Sequence, residues 1–163
     1  MYKPLIVVFL IVSVSLTNAC SSNADDANSK IETGLIKKSS DFSYDQTVTN
    51  LEAALAARNI TLMSKVDHAA NAAMVDKALR PTTLLIFGNP AIGAELMKLN
   101  QSFGLDLPMK ALVYEDDEGN VWVQYNDMAF LAGRHDIPSD NEVISRVSDA
   151  LDAITTDATL ARE

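Results

Sequence analysis

The sequence predicts an α+β domain of two layers: a mixed sheet of about five strands, with helices packed mainly on one of its faces. Two observations carry this. The apolar period switches between two and 3.6 residues along the chain, in the order strand, helix, strand, strand, helix, strand, strand, helix, helix. That order is neither a regular βαβ series nor a run of strands alone. Hydrophobic residues also make up 48% of the 163-residue chain, enough to bury a core. Helices on one face leave the other needing cover, which a homodimer would supply.

A short first strand is expected over residues 31–37. Ser43 and Gln46 then have the spacing of a capping box, in which a hydroxyl and an amide satisfy backbone N–H groups that the first helical turn leaves open. Val48, Leu51 and Leu55 follow at helical spacing, and Asn59 closes that helix in the left-handed conformation. Ile60, Leu62, Ser64 and Val66 alternate with Thr61, Met63, Lys65 and Asp67, the period of a second strand. The alanine-rich residues 69–79 read as a short helix or a compact loop, ended by Arg80-Pro81. Residues 82–87 form the most apolar strand, expected at the centre of the sheet.

Gly88 permits a tight turn, Asn89 can cap, and Pro90 fits the first position of a helix running to about Asn100. Ile92, Leu96 and Leu99 mark its buried face. After a connection over residues 103–108, residues 110–114 and 121–125 form a hairpin with an acidic, solvated tip. Trp122 and Tyr125 lie in opposite phase on the second of these strands, so only one faces the core. Asn126 or Asp127 caps a short helix over Met128–Arg134. Ser139 to Glu142 has the spacing of a second capping box, opening a helix with Val143, Ile144, Val147, Leu151 and Ile154 on one stripe.

Residues 1–19 have the layout of an export signal: Lys3, then an apolar run of about 12 residues, too short for a membrane span of ~20. Small residues precede Cys20, the one cysteine, and the stretch resembles a bacterial lipoprotein signal. That resemblance implies lipidation of Cys20, a membrane anchor, and sorting to the outer membrane facing the periplasm in a host with two membranes, because Ser21 is not aspartate. Thr17 departs from the pattern, which has leucine most often at that place. Residues 20–31 read as a polar tether, and residues 32–163 as one domain. Removal of the signal leaves 12 basic residues against 22 acidic ones. That balance and the lack of a basic stripe argue against nucleic-acid binding.

Several motifs then coincide: Asp67-His68-Ala69-Ala70; Leu79 to Pro90, containing Phe87-Gly88-Asn89-Pro90; Asp106-Leu107-Pro108-Met109-Lys110; Val121 to Asp127; and Leu131-Ala132-Gly133-Arg134-His135. In order and spacing, over roughly residues 34–137, they resemble the domain of unknown function 302 family. The resemblance implies an α+β domain that tends to dimerise, found alone or behind an export signal, and implies no established reaction. Asp76 departs from the pattern, standing where a glycine is common. The C-terminal helix lies largely outside the quoted motifs.

The residues that carry chemistry are few. His68 and His135 are the two histidines, and neither spacing is a metal motif, so no metal or cofactor is expected. His68 reads either as a strand-end histidine bonding the next loop or as an acid/base or ligand group. His135 reads as a helix-terminal group satisfying the dipole. Asn89 after Gly88 can present N–H groups to an anion, and Lys110 can add charge if its strand lies beside Phe87. The expectation is a small polar or anionic ligand near His68, Gly88, Asn89 and Lys110, with Tyr125 and Asp127 as neighbours. The alternatives are an enzyme using His68 as general acid/base and a dimerising interaction module.

Overall fold

The computed structural model describes residues 33–161, so the expected signal, Cys20 and the whole tether over residues 20–31 lie outside the described residues. Strands β1 (Leu35–Ser39), β2 (Thr61–Asp67), β3 (Thr82–Gly88), β4 (Met109–Glu115) and β5 (Val121–Asn126) form one sheet in the order β1-β5-β4-β3-β2. The helices are α1 (Tyr44–Ala57), α2 (His68–Ala73), α3 (Pro90–Leu99), α4 (Met128–Arg134) and α5 (Glu142–Thr159), with a 3-10 turn at Gln101–Leu105. None of the described helices is long and apolar enough to cross a membrane.

The α+β class stands as expected, with two corrections to the sheet. All four strand pairs are antiparallel, so the pairing is not mixed. The central strand is β4 rather than β3. Both follow from one event: the β4–β5 hairpin inserts between β3 and β1. Strands β1, β2 and β4 run one way and β3 and β5 the other, so like directions are never neighbours. Helix α1 then carries the chain from one sheet edge to the other.

Burial alternates along β3, β4 and β5, breaking only at Glu115, the last residue of β4. Leu85, Phe87, Ala111, Val113, Val123 and Tyr125 point to the helix layer, where Leu51 and Leu55 of α1, Leu96 of α3 and Ile144, Leu151 and Ile154 of α5 meet them. Each large side chain so buried contributes about 1.5–3 kcal/mol relative to exposure. Thr155 and Thr159, buried in α5, satisfy their hydroxyls on the carbonyls of Leu151 and Thr155, at 2.8 Å each. The opposite sheet face carries Leu84, Ile86, Leu112, Tyr114 and Trp122, half-buried. Tyr125 is therefore the core residue of its strand and Trp122 the outward one, with Lys37 Nζ lying 3.7 Å from the Trp122 ring centroid.

The helix ends follow local chemistry. Ser43 caps α1, but Gln46 bonds Asn50 instead of reaching back, so the capping box is half-formed. Asn59 takes φ 54°, the left-handed closure expected of it. Asn141, not Ser139, caps α5: a turn from Pro138 O to Asn141 N–H holds Ser139 and Asp140 outside the helix. Leu99 is exposed rather than buried, since α3 ends there. Asp76 has φ 56°, a conformation that glycine adopts freely.

Candidate functional site

The Phe87-Gly88-Asn89-Pro90 junction opens on a cleft. Asn89 caps α3 by accepting the Ala91 N–H at 2.9 Å, and Pro90 occupies the first helical position. At the same end of the sheet, the loop through Leu107 and Pro108 enters β4, where Met109 pairs with Phe87. Between these segments, with α5 behind them, lies a cleft of about 620 Å³. Small-molecule sites span about 300–1,000 Å³. Its walls are Ile60, Met63, Phe87, Ile92, Leu96, Met97, Leu107, Met109, Val147, Leu151 and Ile154. Both charged side chains in the lining are arginines, Arg58 and Arg146. Arg58 pairs with Asp157 at 2.6 Å and donates to Ala54 O at 3.1 Å; Arg146 pairs with Glu95.

Of the six residues singled out by sequence, Gly88 and Asn89 line this cleft and the other four do not. His68 begins α2 at the far end of the sheet. There Asp67 pairs with Thr83, whereas Thr61 pairs with Gly88. Five residue steps of strand lead from Thr83 to Gly88, roughly 17 Å. His68 and Asn89 therefore do not share a pocket. A smaller cleft of about 430 Å³ lies near His68, lined by Tyr44, Asp67 and Glu115 among others. The Tyr44 hydroxyl there donates to Thr83 Oγ1 at 2.6 Å, and burial raises its pKa. Among the described residues, no group of three or more His, Cys, Asp or Glu side chains could hold a metal ion.

Lys110 does lie beside β3, opposite Ile86, but on the sheet face away from the helices. Its Nζ donates to the carbonyls of Pro108 (2.7 Å) and Asp106 (3.1 Å), stitching the loop before β4. Tyr125 is a core residue whose hydroxyl has no hydrogen-bond partner among the described residues, and burial raises its pKa above 10.0. Asp127 caps α4, accepting the N–H groups of Ala129 (2.7 Å) and Phe130 (3.0 Å).

Sequence reasoning missed a second feature, a polar cluster on the 3-10 turn. His135 is buried, with Nε2 2.6 Å from Asp106 Oδ2 and Nδ1 2.8 Å from Ser102 Oγ. Arg134 donates to the other Asp106 oxygen at 3.1 Å, and Asn100 Nδ2 donates to His135 O at 2.7 Å. The Phe103 ring packs against the imidazole. Serine, histidine and carboxylate here have the contacts of a nucleophile, its base and an orienting group. The serine hydroxyl, however, also faces Asn100 Oδ1 at 2.9 Å, and Ser102 lies outside the linings of both clefts. The cluster acts as a lock that joins the Asp106-to-Lys110 motif to the Leu131-to-His135 motif. No sequence signal announces it, because the paired residues are 29 positions apart. Arg58 and Arg146 were missed for the same reason: Arg58 lies just past the end of α1 and Arg146 on α5, and only the fold brings both to the cleft.

Comparison with known proteins agrees with this architecture. The crystal structure of an uncharacterized conserved DUF302 protein from Bacillus stearothermophilus is similar at a TM-score of 0.70 and 18% identity, over 77% of this chain and 98% of that one. Among curated proteins, the chain is 39% identical over 113 residues to the fluoride-specific ion channels FluC 1 of Brucella suis and FluC 2 of Brucella melitensis. The match takes in 69% of this chain but only 44% and 42% of those relatives, so the chain spans less than half their length. The model of the family described as "Domain of unknown function DUF302" matches residues 36–154, which extends beyond the quoted motifs through most of α5. With that match over most of its length, the chain belongs to the DUF302 family.

Proposed function

We propose that the chain is an exported lipoprotein of the cell envelope, anchored through Cys20, whose domain binds a small ligand in the cleft beside Asn89. One observation carries the binding reading: the Phe87-to-Pro90 junction and the loop at Leu107-Pro108 together form a largely apolar cleft whose two charged lining residues are both cationic. In a chain with 22 acidic and 13 basic residues, that selection of charge is not what composition alone supplies. The ligand thus has an apolar body and a polar or anionic end, a narrower description than polar alone. The relatives named as fluoride-specific ion channels match over less than half of their length, and conduction of fluoride is no part of this proposal.

The anchor is tested by fractionation: Cys20→Ala should release the chain from membranes, and unchanged membrane retention would contradict the lipid anchor. Ligand binding is tested by native mass spectrometry of the purified chain beside a Gly93→Phe variant. A small molecule retained by the first and absent from the second is the expected outcome.

A second reading, a dimerising module, is favoured by a separate observation. The sheet face away from the helices carries Leu84, Ile86, Leu112, Tyr114 and Trp122 beside Lys37, Lys110 and Gln124, and Met74, Val75 and Leu79 on the segment between α2 and β3 are 77%, 66% and 51% exposed. The two readings are compatible, since the cleft lies at the sheet end by α3 and α5.

A further inference from the structure

We infer that the cleft takes a single-chain amphiphile, an acyl chain lying along the apolar walls with its terminal anionic group held by Arg146. The inference rests on the cleft being the binding site, as proposed above, and adds the chemical class of the occupant. The lining decides against polar ligands first. Besides the two arginines, Asn89 is its one polar side chain, and the Asn89 carboxamide oxygen is already committed to the Ala91 N–H. A sugar or nucleotide buried there would leave most of its polar groups unsatisfied, at a cost that apolar contact does not offset.

The walls suit a flexible chain. Leucine, isoleucine and valine alternate with Met63, Met97 and Met109, and methionine adapts its unbranched thioether to a mobile occupant. Charge then fixes the polar end. Arg58 and Arg146 line the cleft while their partners, Asp157 and Glu95, stand outside the lining. A guanidinium has five N–H donors, and a forked pair of them matches a carboxylate or phosphate. A free fatty acid and an anionic lysophospholipid share this chemistry.

The test uses the full chain and a ladder of saturated fatty acids from octanoate to palmitate, with the matching alcohols and with lysophosphatidylglycerol, read by calorimetry. Affinity for the acids should rise roughly fourfold per added methylene until the cleft is full. Gly93→Phe should abolish it, because a Cβ at Gly93 already stands 3.5 Å from Leu107 Cδ1 and a ring beyond it enters the cleft. Arg146→Gln, at a half-exposed pair whose loss does not threaten the fold, should weaken the acids about tenfold and leave the alcohols unchanged. Tighter binding of lysophosphatidylglycerol or of palmitate identifies the source, and either supports the inference. Alcohols binding as tightly as acids, with no effect of Arg146→Gln, would overturn the anionic end while leaving the cleft as a site. Affinity independent of chain length and indifferent to Gly93→Phe would overturn both.

Discussion

Asp106 holds three parts of the chain together: its two carboxylate oxygens take Arg134 and His135, and its carbonyl takes Lys110. The contacts differ in worth because their burial differs. The side chains of His135 and Asp106 are 4% and 11% exposed, whereas that of Arg134 is 56% exposed. Asp106→Ala should therefore destabilise the fold by about 2–4 kcal/mol in urea unfolding, since it strands a buried imidazole. Arg134→Ala should cost less than about 1 kcal/mol. Equal costs would contradict the lock. At the hairpin, the Trp122 indole N–H donates to Asp116 Oδ2 at 2.7 Å and is the main reason the Asp116 pKa falls from 3.8 to about 2. Backbone N–H groups of Asn120 and Glu118 add to it. A folded pKa below the unfolded one means the contribution is complete above 3.8 and is lost as pH falls through about 2. Trp122 fluorescence should hold steady through 3.8 and change only near 2; a transition centred on 3.8 would count against the bond.

At the scale of elements, what the sequence made legible was local. Ser43, Asn59, Asn89, Pro90 and Asp127 act within a turn of themselves, so their caps and stops were readable in the chain. Strand and helix periods were readable for the same reason, while Asn141 displaced Ser139 as the cap of α5 because a turn at Pro138 intervened. Pairing was not readable: nothing in residues 109–126 announces that their hairpin will insert between β3 and β1. A quarter of the cleft lining shares that fate, since α5 brings Arg146, Val147, Ala150, Leu151 and Ile154 to it, and the Arg146–Glu95 pair alone spans 51 positions. One backbone position ties β1 to α4. Gly34 has φ 61°, and a Cβ there would lie 2.4 Å from the Phe130 ring. Gly34→Ala should destabilise by about 2 kcal/mol or more in thermal or chemical unfolding, from overpacking and a left-handed backbone together. A neutral outcome would mean that the β1–α4 contact yields.

For the whole molecule, the asymmetry of the sheet is the main consequence. One face is filled by α1, α3 and α5; the other shows Leu84, Ile86, Leu112, Tyr114 and Trp122 half-buried. If a second copy covers that face, the wild-type chain sediments as a dimer and Leu112→Glu as a folded monomer. A monomeric wild type at high concentration would remove the dimerising reading and leave the cleft untouched. The cleft itself depends on the meeting of the Asn89 turn, the loop at Pro108 and α5, and its function is the central claim. The most direct measurement is native mass spectrometry of the purified chain against Gly93→Ala and Gly93→Phe. Alanine adds only an ordinary contact at 3.5 Å from Leu107, so this variant should retain the same small molecule as wild type. The phenylalanine variant should be folded and empty. A ligand held equally by all three proteins would contradict the claim that the cleft is the binding site.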